Sequence, residues 1–301
     1  MTNKWLKVAL MVTAIATGTS INIDAETVLY VPQDDRPVSL QYTVDTAREA
    51  GMTVLTPPQH LISGKTYQGQ ADQIMAWVEQ NAGRADVMVL STDTLIYGGL
   101  VDSRKHNIPL STLQNRLKRI EGLKARNKNV RIYGFGTVMR SPRASGGGTE
   151  PAYYAEYGST IFQIAALQDK LDSGSLTQEE TQKLMSLQAS VPVEYLQDWF
   201  DRRQKNMKIN KELIDETRSG VFDYFALGHD DTSQLSQSAL EGRYLNKYSK
   251  DISVEKYGSF PGADQLGLLL MARSRTDVST EKPTFSVIYP LGGGGKTLPG
   301  Y

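Results

Sequence analysis

Cysteine is absent from the 301 residues, which excludes disulfides, thiolate nucleophiles and cysteine-held metal. Histidine is scarce, with only His60, His106 and His229. A multi-histidine zinc or copper centre is therefore not expected, and any metal would rest on oxygen ligands, as magnesium, calcium or manganese prefer. Net charge is lacking too: 33 Lys and Arg balance 33 Asp and Glu, so no basic surface for nucleic acid or an anionic membrane is indicated. Long apolar runs are missing as well. The stretch Val8–Ala16 falls short of the roughly 20 residues that span a bilayer. It follows Lys4 and Lys7 and precedes the small residues Thr17–Ser20, the pattern of an export signal ending near Ala25. The expected location is secreted or cell-envelope, with residues 1–25 removed.

What is present is a repeated grammar of short apolar β-runs that end in polar clusters. Val28–Val31 leads to Asp34, Asp35 and Arg36. Val87–Leu90 leads to Asp93, Tyr97 and Arg104. Val130–Phe135 leads to Arg140 and Arg143, and Phe222–Leu227 leads to His229, Asp230 and Asp231. A further strand is expected at Met52–Thr56, closed by Pro57 and Pro58, and another at Phe285–Tyr289. Between them, apolar spacing predicts helices over Ser39–Ala50 and Gln70–Asn81, and one opened by Pro109 with Leu110, Leu113, Leu117, Ile120 and Leu123 along one face. Further helices are expected near Gln234–Tyr248 and from about Pro261 to Arg273.

The alternation pauses after the fourth strand. Residues 151–219 hold no convincing strand and read as helices near Ser159–Leu171, Thr177–Ala189 and Pro192–Arg218, an insertion suited to a lid, a wall or a helical extension of the core. The expected class is α/β: a mainly parallel, Rossmann-like sheet flanked by helices and carrying a helical insertion, with a (β/α) barrel as the runner-up. Parallel strands would gather every polar cluster at one carboxyl edge, where α/β proteins place their sites.

Asp34, Asp35, Asp93, Asp230 and Asp231 are the candidate catalytic residues, because carboxylates gathered at one edge can have their pKa values pushed apart into an acid and a base. A capping or turn role for each doublet is the plainer alternative. Arg36, Arg104, Arg140 and Arg143 suit bidentate binding of anionic or polyhydroxylated ligands, or internal ion pairs with those aspartates. Tyr97 offers a stacking face or a core ring, and His229 and Asp264 complete the binding candidates. Three motifs fail. The Gly292–Thr297 segment has Pro290 where a P-loop needs its first glycine, no Gly-x-Ser-x-Gly elbow exists, and the glycines at 146–148 lack the dinucleotide fingerprint.

Val31–Pro37, Ser91–Leu100 with Ser103 and Arg104, Gly228–Asp231, and Pro261–Gln265 with Ala272 and Arg273 together resemble the bacterial DUF4127 family, a domain of unknown function. The resemblance implies the fold and no established activity. It also implies a longer parent, so the chain is expected to be truncated after Tyr301. Gln265 stands where the family leads one to expect an acidic residue. The expected activity, from the paired aspartates, is that of an exported glycosidase-like hydrolase acting on a polysaccharide or another polyhydroxylated or anionic ligand. A metal-dependent esterase, deacetylase or phosphohydrolase and a non-catalytic glycan-binding envelope protein are the alternatives. No cofactor is expected, a divalent cation being the open option.

Overall fold

The structure, a computed structural model, describes residues 25–144, 148–231, 233–279 and 284. The expected export signal and the expected strand Phe285–Tyr289 lie outside these residues. Strands β1 (Thr27–Val31), β2 (Thr53–Leu55), β3 (Val87–Ser91), β4 (Arg131–Val138), β5 (Tyr224–His229) and β6 (Tyr257–Pro261) form one sheet in the order β2-β1-β3-β4-β5-β6. Every pairing is parallel. Among the described residues the sheet is open, with β2 and β6 outermost.

Alternation along β1 explains the layers. Leu29 and Val31 join one apolar cluster with α2 (Ala71–Asn81), α5 (Leu110–Arg126) and the distal part of α8 (Val193–Ser219). Val28 and Tyr30 point to the other face, against α1 (Gln41–Glu49) and α10 (Leu266–Val278). Helices on both faces bury β1, β3, β4 and β5 almost wholly, which is why those strands read as largely apolar runs. The chain passes from β1 outward to β2 and then back across β1 to β3. The topological switch point therefore lies between the carboxyl ends of β1 and β3, where doubly wound sheets open a crevice.

The insertion comprises α6 (Tyr154–Asp172), α7 (Gln178–Ala189) and the start of α8. It has its own core, in which the Tyr154 ring packs at a tilt against Trp199, 4.7 Å between centroids, beside Ile161, Ile164 and Leu184. At 27 residues, α8 is about 40 Å long and serves both cores: Trp199 belongs to the insertion, while Ile209, Leu213 and Ile214 belong to the sheet. The insertion is thus a small helical layer that shares α8 with the sheet and is also tied through Asp169 of α6 to Ser236 and Arg243. A Thr177–Glu180 capping box starts α7.

Two short helices, α3 (Thr92–Tyr97) and α4 (Leu100–Lys105), occupy the polar stretch after β3. Ser91 caps α3 through the Thr94 amide at 3.3 Å. Between the two helices, Gly99 lies so close to the loop after β2 that a Cβ there would stand 1.8 Å from Ser63 Oγ. Only glycine permits that approach, and it draws the loop of Ser63 over the switch point. Helix α9 (Gln237–Tyr248) connects β5 to β6, and β6, which the sequence pattern does not announce, is followed by a turn into α10. No helix among the described residues is long and apolar enough to cross a membrane.

Candidate functional site

The parallel sheet brings the strand-end clusters to one edge. At the switch point, Pro32 and Gln33 carry the chain from β1 into the aspartate doublet. Thr94 Oγ1 donates to the carbonyls of Pro32 at 2.7 Å and Gln33 at 3.2 Å, and the Leu100 amide donates to the Gln33 carbonyl at 3.3 Å. These bonds hold the loop after β1 against α3 and α4.

Asp34 is buried and committed to Arg36: its Oδ1 accepts from the Arg36 amide at 3.2 Å and its Oδ2 from Nε at 2.8 Å. Arg36 Nη2 also reaches Asp264 Oδ1 at 2.7 Å, tying the turn after β6 to the switch point. Burial disfavours the Arg36 charge, but its bonds to Asp34 and Asp264 outweigh burial and raise its pKa. Asp35 faces the other way. It is half-buried and accepts the Tyr67 hydroxyl. Tyr67 in turn lines a cavity of about 280 Å³ with Lys65, Asp102 and Lys105. The doublet is therefore split between one carboxylate that orients an arginine and one that accepts a tyrosine hydroxyl.

Asp93 sits in the first turn of α3, 2 % exposed. Oδ2 accepts from Thr137 Oγ1 at 2.7 Å and Gln33 Nε2 at 3.1 Å, and the Thr137 amide lies 3.5 Å from Oδ1. Burial raises its pKa to about 6; the bonds from Thr137 and Gln33 and the charge of Arg104 oppose that rise without cancelling it.

Arg104, 3 % exposed on α4, pairs with Asp230 across the sheet edge and lies 3.9 Å from Glu150. Its Nε is buried with no partner among the described residues. Burial lowers its pKa, Arg140 adds to this, and Asp230, Glu150 and Asp93 work against it. Arg140 Nε donates to Glu150 Oε1 at 2.6 Å, so Glu150 is shared by two guanidiniums. Glu150 was not anticipated. It stands beside a glycine run with no strand before it, and only its charge could have marked it.

The remaining candidates divide. Both oxygens of Asp231 accept backbone amides, from Ser141 at 3.2 Å and Ser233 at 2.9 Å, which is the turn role. Tyr97 is 6 % exposed and stacks on His106 at 4.9 Å, so its ring is a core ring and not a face of the crevice. Arg143 lies over Phe162 of the insertion at 5.2 Å. His229 Nε2 is 2.7 Å from Ser259 Oγ, on the β5–β6 side of the edge. Among the described residues no group of three or more His, Asp or Glu is arranged to hold a metal ion.

These features define a doubly wound α/β protein whose charged strand ends meet at a topological switch point. Over residues 28–301 the chain matches the family model described as a protein of unknown function, DUF4127. The chain belongs to that family. Comparison with curated proteins gives no match.

Proposed function

We propose that the crevice between β1 and β3 is the catalytic site of an exported glycosidase-like hydrolase acting on a polyhydroxylated or acidic saccharide. Glycoside cleavage needs one carboxyl group able to carry a proton and one acting as base or nucleophile, about 5–10 Å apart. Strand spacing decides among the aspartates. Neighbouring strands are about 4.8 Å apart, so Asp93 after β3 is one strand from the Asp34–Asp35 doublet after β1. Asp230 and Asp231 follow β5, three strands from β1 and so about 14 Å away at the strand ends, which argues against pairing them with Asp34 or Asp35 as acid and base.

The observation that carries the proposal is the environment of Asp93. With a pKa near 6 it exchanges its proton near neutrality, as a general acid must. Asp35 is the partner, because Asp34 is occupied by Arg36. Arg36, and Arg104 and Arg140 around Glu150, would orient the saccharide. The basic, apolar start of the chain supports export.

The test is product release from neutral and acidic bacterial polysaccharides, read as new reducing ends by mass spectrometry. Loss in Asp93→Asn and Asp35→Asn, with insensitivity to chelator, is the expected outcome. Acetate or phosphate release abolished by chelator would instead favour a metal-dependent hydrolase. A saccharide that binds and returns unchanged would favour a binding protein. The binding reading draws on the charged groups already gathered along this edge, the pairs Arg36–Asp264 and Arg104–Asp230.

A further inference from the structure

A different arrangement occupies the opposite end of the same edge. A cavity of about 400 Å³ opens between the carboxyl ends of β5 and β6 and the helix α9, lined among others by His229, Ser259, Asn246, Gly242 and Phe260. That volume suits a small organic ligand. Inside it, His229 Nε2 and Ser259 Oγ are 2.7 Å apart. Ser259 lies on β6, opposite Leu227 in the register with β5, and His229 ends β5. Two rigid strands, not loops, therefore set the distance between hydroxyl and imidazole.

We propose that Ser259 and His229 form a nucleophile–base pair that cleaves small carboxylic esters in this cavity. The arrangement meets the requirement that an unactivated hydroxyl be within hydrogen-bond reach of a base whose own orientation is fixed. The orienting element is α9. A Cβ on Gly242 would fall 2.5 Å from His229 Cε1 and 2.9 Å from Nδ1, so the glycine lets the helix backbone press on the ring and hold its plane. Burial lowers the His229 pKa, and no carboxylate contributes to its shift. The ring is neutral at pH 7, and with its proton on Nδ1 the Nε2 lone pair faces the serine. Asp231 lines the same cavity, but its oxygens are taken by the Ser141 and Ser233 amides. The unit is thus a dyad.

The chemistry balances within these residues and water. Ser259 Oγ adds to the ester carbonyl carbon while its proton passes to His229 Nε2. The carbon–alkoxy bond then breaks, and the leaving oxygen takes that proton as the alcohol departs. Water, deprotonated by His229, attacks the acyl-serine, releasing the carboxylic acid and restoring the Ser259 hydroxyl. Asn246, which lines the cavity from α9, supplies an amide donor for the carbonyl oxygen. His229 and Ser259 lie two and three strands from the strand that precedes Asp93, and the site does not depend on the saccharide reading.

The experiment is labelling of the full chain with a fluorophosphonate probe, with the modified residue mapped by peptide mass spectrometry. It is joined by the p-nitrophenol burst from p-nitrophenyl acetate. Label on Ser259, a burst absent from Ser259→Ala, and labelling slowed about 100-fold in His229→Gln are expected. A cysteine-free chain allows a second reading through Ser259→Cys: its alkylation by iodoacetamide should outpace that of free cysteine and lose this advantage when His229→Gln is added. Folded wild type that takes no label at Ser259, or labelling and alkylation indifferent to His229→Gln, would overturn the proposal and leave the 2.7 Å contact as a tie between β5 and β6. The saccharide assay on Ser259→Ala separates this outcome from failure of the glycosidase reading.

Discussion

Gln33 Nε2 donates to Asp93 Oδ2 at 3.1 Å, joining residues 60 positions apart in the chain. This bond crosses the switch point, and the Gln33 carbonyl is itself held by Thr94 and Leu100. The loop after β1 is thereby fixed to the helices after β3, and the doublet Asp34–Asp35 inherits a defined position relative to Asp93. Such fixed geometry is what a catalytic or binding constellation requires of its supporting residues.

The close approach of Gly99 to Ser63 gives the first prediction. Gly99→Ala would place a methyl 1.8 Å from Ser63 Oγ and 2.7 Å from its Cβ, which the loop can accommodate only by moving. Overpacking of this kind costs about 1–3 kcal/mol. Ser63→Gly removes the obstacle, so Gly99→Ala/Ser63→Gly should recover much of the loss. A urea-denaturation double-mutant cycle measures the coupling. A coupling near zero would mean that the loop of Ser63 does not bear on the switch point.

Arg203 on α8 is 1 % exposed and meets Glu241 on α9 with two hydrogen bonds of 2.7 Å. It also donates to the carbonyls of Met139 at 2.6 Å and Arg140 at 3.0 Å, so one guanidinium joins both helices to the loop after β4. Arg203→Met leaves the buried Glu241 carboxylate without its guanidinium and the Arg140 carbonyl without this donor, and should destabilise the protein by about 3–5 kcal/mol. The same variant should weaken the Arg140–Glu150 contact, since Arg140 loses its backbone anchor. Urea midpoints, with protease susceptibility of residues 139–150, provide the check.

How much of this was legible follows from the range of each interaction. Strands β1, β3, β4 and β5 announce themselves because burial on both faces makes them largely apolar, and the charged clusters that follow them stand out against those runs. Strand β6 did not, since Tyr257–Pro261 is a half-buried edge strand carrying Gly258 and Pro261. The helices α3 and α4 are six residues each, too short for a helical period to register. The partners of the charged residues were hidden more deeply. Arg104 and Asp230 are 126 positions apart, and nothing local says which carboxylate an arginine will meet. Strand order, which separates Asp34 from Asp230 and brings it to Asp93, is likewise a property of the assembled sheet and not of any stretch of chain.

Burial of Asp93 predicts a pH effect of a definite sign. Its folded pKa, about 6, lies above the ordinary 3.8, so between these values the folded chain binds more protons than the unfolded one. Stability from this group is greatest in acid and declines as pH rises through the window, by about 3 kcal/mol in all. Asp93→Asn removes the decline. The stability of wild type minus that of Asp93→Asn should therefore fall by that amount between pH 4 and pH 7 in urea titrations. A difference independent of pH would show that Asp93 ionises normally, and the acid role proposed for it would go with that result.

His106 should act in the opposite direction over nearly the same range. Its ring is 5 % exposed, with Nε2 donating to Asn206 Oδ1 at 2.8 Å and Nδ1 accepting the Ile108 amide at 3.3 Å. Those roles require the neutral ring. Burial lowers its pKa to about 4; Asn206 and Asp198 oppose this, while Lys205 and Arg202 add to it. Between pH 6.5 and 4 the unfolded chain binds the extra proton, so stability is full above 6.5 and declines in acid, again by about 3 kcal/mol. In wild type the two slopes oppose one another, and the contribution of this pair to acid sensitivity is small. Separate variants expose each: Asp93→Asn should lose stability steeply below pH 6, whereas His106→Gln should gain it. Imidazole carbon shifts by NMR test the premise directly, since His106 must still report a neutral Nε2–H ring at pH 5. A ring that protonates near pH 6.5 would remove the compensation, and wild type would then gain stability in acid from Asp93 alone.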